Sequence, residues 1–191
     1  MKNIKGIIVF IEGSSGIGKD AIIDGLIIKY PNTFKRLISF CTREMRNTES
    51  NGNPYYFVTE KDFFNKVKSG EICEYTKRHG SYRGISRKSI DEITNENLIP
   101  IKDIDKNGLL AIKKLYPNHV FGIFITAPQE EIKKRLLSRG SDNDNINERL
   151  IDYNFQESQR KYYDATAINF DLAKCIDDIY LLICEFYKNV K

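Results

Sequence analysis

The sequence predicts an α/β fold built on a central parallel sheet, and three observations carry this prediction. Short apolar runs rich in β-branched residues occupy residues 7–11, 98–103 and 120–125, as in strands that are buried on both faces. Segments with helical spacing of apolar residues separate these runs. A glycine-rich turn follows the first run and leads directly into the first helix. This alternation of strand and helix is typical of parallel sheets.

The glycine-rich turn matches a phosphate-binding loop at every position through its lysine. Its glycines let successive N–H groups point inward, the helix start adds the positive end of its dipole, and Lys19 supplies a charge for the β- and γ-phosphates. A plain strand-to-helix connection is the weaker alternative, because strand, loop, lysine and helix occur in the required order. We therefore predict a P-loop NTPase fold that binds ATP through Gly13, Ser14, Ser15, Gly16, Ile17, Gly18, Lys19 and Asp20.

Asp20 departs from that motif. The motif places Ser or Thr here to bring a hydroxyl to Mg²⁺, and Ala21 offers no substitute. A carboxylate also binds Mg²⁺, although it adds negative charge beside the triphosphate. Asp20 is therefore one candidate metal ligand, and Asp103, at the end of a predicted sheet strand, is the other.

Composition limits the other classes of function. The 191 residues suit a single domain, and a net charge of +4 is too mild to indicate nucleic-acid binding by itself. No apolar run approaches the ~20 residues that span a bilayer, and the N-terminus enters the first strand without a cleavable signal. We expect a cytoplasmic protein without a membrane partner, a monomer or homodimer, whose four cysteines are reduced.

The remaining elements follow in chain order. Pro31 ends a helix over residues 19–30, Thr59 caps a helix over 60–68, and Ser86 caps a helix over 87–95. Further strands are predicted at 37–40, 55–58, 72–76 and 82–85, so that residues 39–86 form a small mixed excursion from the parallel sheet. After the strand at 98–103 we expect a helix ending near 115, and after the strand at 120–125 a helix that begins at Pro128. A mobile polar loop at 140–145 and a long helix follow. The chain then has a predicted strand at 165–169 and a predicted helix at 171–187.

A second motif, Thr42-Arg43-x-x-Arg46-x-x-Glu49-x-x-Gly52-x-x-Tyr55-x-Phe57-Val58, resembles the acceptor-nucleotide segment of the guanylate kinase family. The resemblance continues through Glu74, residues 80–84 and residues 103–108. Residues 135–140 and 146–150 resemble the lid of that family, and residues 169–172 resemble its adenine-side loop. The likeness spans nearly the whole chain, and it is far more specific than the phosphate loop alone.

The resemblance implies a role for each matching residue. Arg43, Arg46 and Tyr55 would hold the acceptor 5′-phosphate, supported by Glu49, while Glu74 would accept from guanine N1–H and its 2-amino group. The remaining implied residues are Ser39, Tyr82, Arg83 and Asp105 for GMP, Asn169 for ATP, and Arg135, Arg139 and Arg149, which would act with Lys19 in catalysis. It also implies a core of residues 1–37 and 87–191, an acceptor-binding region of about 38–86 and a lid of about 135–150.

Four positions depart from the family pattern. Met45 replaces a proline and Thr48 replaces a glycine. Arg83 replaces a second phosphate-binding tyrosine, and Ile85 replaces a hydroxyl residue near guanine O6. An unmade hydrogen bond to the base weakens discrimination by about 1 kcal/mol or more. Guanine specificity is therefore less firmly predicted than kinase class.

The implied reaction is Mg²⁺-dependent transfer of the γ-phosphoryl group from ATP to GMP. One alternative is a related kinase with another acceptor, either ribose 1,5-bisphosphate or another nucleoside monophosphate, because Gly-Lys-Asp also resembles the phosphate loop of ribose 1,5-bisphosphate phosphokinases. The other alternative is a guanylate-kinase-like binding module that has lost catalysis, although the intact glycines and Lys19 argue against it.

Overall fold

A computed structural model describes residues 6–47, 49–78, 80–138 and 152–190. In chain order its elements are β1 (Ile8–Gly13), α1 (Lys19–Lys29), β2 (Phe34–Arg36), β3 (Ser39–Cys41), β4 (Ser50–Asn51), β5 (Pro54–Phe57), α2 (Glu60–Lys68), β6 (Ile72–Arg78), β7 (Ser81–Ser86), α3 (Arg87–Asn95), β8 (Ile99–Asp103), α4 (Lys106–Leu115), β9 (Val120–Thr126), α5 (Gln129–Ser138), α6 (residues 152–159), a 3₁₀ turn (Arg160–Tyr162), β10 (Ala165–Ile168) and α7 (Leu172–Val190).

The first sheet is parallel, with strand order β10-β9-β1-β8-β2. Apolar side chains of α1 and α7 pack on one face, and those of α3 and α4 pack on the other. Every residue of β1 is buried, which explains its uninterrupted apolar run. The carboxyl ends of β1, β2 and β8 therefore meet at one edge of the sheet, the edge at which open α/β sheets bind ligands.

A second, mixed sheet has the order β4-β5-β3-β7-β6. In this sheet β3 is parallel to β5 and antiparallel to β7, which in turn pairs with β6. Its own core is small and consists of Phe40, Phe63 from α2, and Ile72. This sheet corresponds to the mixed excursion that the sequence predicts, and it faces the carboxyl edge of the parallel sheet.

One predicted strand is wrong. Residues 37–40 do not form a single strand, because β2 ends at Arg36 in the parallel sheet and β3 starts at Ser39 in the mixed sheet. The Leu37 N–H still donates to the Ile101 carbonyl at 3.0 Å, whereas Ser39 already pairs with Tyr55. Apolar spacing shows that residues are buried but does not show which sheet buries them.

The helix starts agree closely with the predictions. Helices α2 and α3 match the predicted ranges, and the hydroxyls of Thr59 and Ser86 accept from N–H groups three residues on, at 3.1 and 3.2 Å. The predicted mobile loop at 140–145 lies outside the described residues. Among the helices that are described, none is both long enough and apolar enough to cross a bilayer.

Candidate active site

The phosphate loop connects β1 to α1, and its backbone depends on glycine. Gly16 and Gly18 have φ values of 85° and 95°, a region that side-chain-bearing residues rarely adopt. At Gly13, a Cβ would lie 2.3 Å from the Ile125 carbonyl oxygen on the neighbouring strand β9. The loop can therefore curl tightly against the end of the sheet, as in backbone concavities that bind anions.

Lys19 folds back over this loop. Its Nζ donates to the carbonyl oxygen of Gly13 and lies 3.4 Å from that of Ser14. The hydroxyl of Ser14 is buried and has no hydrogen-bond partner among the described residues. An ammonium and a hydroxyl with spare donor capacity thus sit where the sequence predicts the triphosphate.

Asn169 hydrogen-bonds to the phosphate loop, and Arg135 hydrogen-bonds to Asn169. Asn169 is buried, and its Nδ2 donates to the Ile17 carbonyl at 2.7 Å. Arg135 donates from Nη2 to the Asn169 carbonyl at 2.8 Å and pairs with Glu131 at 3.4 Å. The predicted residues Arg139 and Arg149 lie outside the described residues.

In the loop after β3, Glu49 accepts hydrogen bonds from two residues of the same loop. Its two carboxylate oxygens accept from both terminal nitrogens of Arg43, at 2.7 and 2.5 Å, and one of them also accepts from the Arg46 N–H at 2.9 Å. These bonds, led by the one from Arg43, lower the pKa of Glu49 to about 2. The arrangement fixes the guanidinium of Arg43 while the Arg46 side chain stays exposed.

Two adjoining cavities lie between the sheets. The outer cavity, of about 470 Å³, has the size of a ligand pocket and is lined by residues of α1, the β3–β4 loop and the ends of β2 and β8. They are Asp20, Asp24, Arg36, Arg43, Arg46, Glu49, Asn53, Pro54, Tyr55, Arg83, Lys102 and Asp103. The inner cavity, of about 50 Å³, shares Tyr55, Arg83, Lys102 and Asp103 with it.

The inner cavity carries the predicted base-reading residues. Glu74, Ser39 and Asp105 line it, together with Ile85. Burial, with the nearby charge of Asp105, raises the pKa of Glu74 to about 7, and Lys102 opposes that rise. Asp105 also caps α4 by accepting from the Gly108 N–H at 2.9 Å. The carboxyl of Glu74 therefore changes its charge near neutral pH.

Three cations surround the ring of Tyr55, at the junction of the two cavities. Arg43, Arg83 and Lys102 lie 5.5, 5.3 and 5.4 Å from the ring centroid. The Arg83 Nε is buried and has no hydrogen-bond partner among the described residues. Such a concentration of positive charge favours the binding of an anion.

The two predicted metal ligands, Asp20 and Asp103, line the outer cavity together. Burial alone would raise the pKa of Asp103, but Lys102 and Lys19 outweigh it and hold the pKa below its usual value. Asp20 is exposed, and its contact with Arg36 spans 3.5 Å. The described residues contain no cluster of three or more metal-binding side chains.

Some cavity residues were missed by sequence reasoning. One of the residues predicted to bind GMP lines neither cavity, and the same is true of the predicted ATP-binding residues 13–19 and Asn169. Glu12, Arg36 and Lys102 line them although no motif contains these residues. Each stands in the last two residues of a parallel strand, a signal that could have identified them. The ring of Tyr82 instead packs against Phe64, with centroids 4.8 Å apart, and lines neither cavity.

Among known proteins, this chain is similar to guanylate kinases. The guanylate kinase family model matches residues 5–185. A guanylate kinase of Ehrlichia chaffeensis is 36% identical over 183 residues, which cover 95% of this chain and 86% of the relative. One of Buchnera aphidicola subsp. Schizaphis graminum is 34% identical, with 98% of this chain and 94% of the relative covered. The crystal structure of guanylate kinase from Anaplasma phagocytophilum superimposes with a TM-score of 0.72 at 25% identity, covering 97% of this chain and 88% of that one. The chain belongs to the guanylate kinase family.

Proposed function

We propose that this protein transfers the γ-phosphoryl group of ATP to the 5′-phosphate of GMP, giving ADP and GDP, as is known for its family. The observation that carries this proposal is the outer cavity. It is lined on one side by Asp20 of α1, directly after the phosphate loop, and on the other by Arg43 and Arg46. A donor and an acceptor phosphate can therefore meet within one pocket.

The acceptor needs no general base. A nucleotide 5′-phosphate has a second pKa near ~6, so it is already an anionic nucleophile at neutral pH. Arg43 would orient it with a guanidinium that Glu49 holds in place. Catalysis then consists of positioning the two phosphates and stabilising the transferring group.

At the donor end, Lys19 would release its bonds to the loop carbonyls and bind the β- and γ-phosphates. The loop amides and the start of α1 would hold the remaining phosphate oxygens. Asn169, buried against the loop, and Arg135, anchored to its carbonyl, would support the donor side. Arg139 and Arg149 are proposed to complete the charge stabilisation from a lid of about 135–150.

At the acceptor end, Glu74 would read guanine by accepting from N1–H and the 2-amino group, while Ser39 would donate to O6. The inner cavity of about 50 Å³ is well below the volume of a usual ligand pocket, so a purine needs more room than it offers in this structure. We propose that the acceptor-binding region of about 38–86 moves for this purpose relative to the core of residues 1–37 and 87–191.

Mg²⁺ fits the outer cavity. It is usually bound by one or two carboxylates and the substrate phosphates, and Asp103 and Asp20 supply such a pair. When bound, the ion would neutralise phosphate charge, including the repulsion that Asp20 adds. A cytoplasmic location, the absence of a nucleic-acid partner and a state of one or two copies remain predictions from the sequence.

A panel of acceptors tests the proposal. ADP release is followed with GMP, dGMP, AMP, UMP and ribose 1,5-bisphosphate, each with and without Mg²⁺. We expect turnover with GMP that exceeds AMP and UMP and requires Mg²⁺. Turnover with another acceptor and none with GMP would overturn the choice of substrate.

Ribose 1,5-bisphosphate is the second candidate acceptor. It is favoured by Asp20 and by Arg83, whose buried Nε has no hydrogen-bond partner in the described part of the chain, because an acceptor with two phosphates brings more negative charge. A binding module without catalysis is the third possibility. Calorimetry with ATP and Mg²⁺ separates it from both kinases, since a chain that binds neither ligand and turns over no acceptor would be such a module.

A further inference from the structure

Lys102 occupies an unusual place for a lysine. It is the penultimate residue of β8, pairs with Phe10 of β1 in the middle of the parallel sheet, and has a side chain that is only 13% exposed. It lines both the outer and the inner cavity. Lys102 therefore borders the junction through which the acceptor would extend from one cavity into the other.

The ammonium of Lys102 is poorly compensated. Among the described residues its ion pair is with Asp103, at 3.6 Å, which is longer than a hydrogen bond. The Tyr55 ring, 5.4 Å away, adds a weaker attraction. Because Lys102 lines both cavities, its ammonium can donate hydrogen bonds to the oxygens of a ligand held there.

Neighbouring charges point to the kind of ligand. Arg43 is neutralised by Glu49, whereas Arg83 makes no ion pair within the described chain. Arg83 and Lys102 both lie within 5.4 Å of the centroid of the Tyr55 ring. A phosphate dianion at this point would give both cations oxygen acceptors and cancel the excess charge.

We propose that Lys102 is a specificity-determining residue that binds the phosphate of the acceptor together with Arg83. This inference rests on the proposed kinase function. It adds a phosphate contact from Lys102 of β8 to the contacts proposed for Arg43 and Arg46 in the loop after β3.

Substitution of Lys102 by Met tests this role, because Met keeps the length of the side chain and removes its charge. We expect the dissociation constant for GMP and the KM for GMP to rise about tenfold or more, as for the loss of a charge-assisted hydrogen bond, while the KM for ATP changes little. Lys102→Arg should recover part of the affinity. The matched control is Lys66→Met, which removes a half-buried lysine 4.8 Å from the Phe40 ring that lines neither cavity.

Stability separates this role from a structural one. If Lys102 serves the ligand, the melting temperature of ligand-free Lys102→Met should equal or exceed that of the wild type, because a poorly paired buried charge is removed. A lower melting temperature with unchanged GMP affinity would show that Lys102 supports the fold and would overturn the proposal.

A double-mutant cycle with Glu74→Gln, measured at alkaline pH so that Glu74 stays ionised without the charge of Lys102, excludes an indirect effect through the base. Under that condition the losses in GMP affinity should add if Lys102 binds the phosphate, and strong coupling would mean that it acts by positioning Glu74. If the wild type turns over GMP and Lys102→Met leaves the dissociation constant and the KM for GMP unchanged, only this inference fails. If the wild type uses ribose 1,5-bisphosphate instead, the same comparison is made with that acceptor. If no phosphorylated acceptor of the panel binds, both proposals fail.

Discussion

At the scale of single residues, the carboxylate proposed to recognise the base lies near a second carboxylate. Glu74 would have to be ionised to accept two hydrogen bonds from guanine, yet burial and Asp105 raise its pKa to about 7. Lys102 is the group that opposes this rise. Recognition of the base should therefore depend on pH within the physiological range.

We expect kcat/KM for GMP to rise between about pH 6 and about pH 8 with an apparent pKa near that of Glu74. The value for ATP should change less, because the donor does not contact Glu74. Glu74→Gln should weaken GMP binding about tenfold or more and flatten this profile. Glu92→Gln, on the exposed face of α3, is the control and should retain the wild-type profile. A wild-type profile in Glu74→Gln would mean that another group titrates.

The same shift affects stability. The folded pKa of Glu74 lies above its value of 4.5 in an unfolded chain, so the stability it contributes is complete below about pH 4.5 and is lost as pH rises through about 7. Ligand-free Glu74→Gln should therefore melt at a higher temperature than the wild type at alkaline pH. The difference should disappear in acid.

At the scale of elements, the loop between β3 and β4 is ordered by one carboxylate. Glu49 joins the Arg43 side chain to the Arg46 main chain, and its pKa is lowered to about 2. The stability of this pair is present above the ordinary pKa of a glutamate and is lost only as pH falls through about 2. It should therefore stay constant over the range in which Glu74 titrates.

Removing the Glu49 carboxylate should weaken binding of the acceptor. We expect Glu49→Ala to raise the KM for GMP about tenfold, because a guanidinium that must be ordered on binding loses affinity, and to leave the KM for ATP within about twofold. The control is Glu44→Ala in the same loop, whose side chain is exposed and makes no ion pair within the described residues. Equal effects of the two substitutions would assign the loss to the loop in general.

At the scale of the whole molecule, the two proposed phosphate sites belong to two different sheets. The parallel sheet carries the phosphate loop and α1, and the mixed sheet carries Arg43 through β3 and Arg83 through β7. Each site draws on a different part of the chain. The two ligands should therefore stabilise the protein independently before they react.

Thermal unfolding measures this independence. A ligand at 100 times its Kd stabilises the fold by about 2.7 kcal/mol, which corresponds to about 5–10 °C for a chain of this size. GMP alone and ATP with Mg²⁺ alone should each raise the wild-type melting temperature. Lys19→Ala should lose most of the ATP shift, keep the GMP shift and show no turnover. Lys35→Ala, which breaks an exposed pair with Glu96, is the control. Loss of both shifts in Lys19→Ala would show that the sites are not independent.

The sequence by itself determined the class of fold, the phosphate loop and most helix bounds. These features depend on local properties, namely glycine φ values, hydroxyl caps and the apolar spacing of helices and buried strands. The roles of the paired arginines and Glu49 were predicted from the resemblance of their motif to the acceptor-nucleotide segment of the guanylate kinase family. The guanylate kinase family followed from the same motifs.

Only the tertiary structure decided which side chains share a cavity. Lys102, Arg36 and Glu12 carry no motif, and they reach the site because three strands distant in sequence end at one edge of a sheet. The division of residues 37–40 between two sheets and the packing of Tyr82 away from the cavities depend in the same way on long-range pairing. Pairing partners and burial are properties of the assembled chain, so the charge around Tyr55 and the raised pKa of Glu74 appear only once the strands are in place.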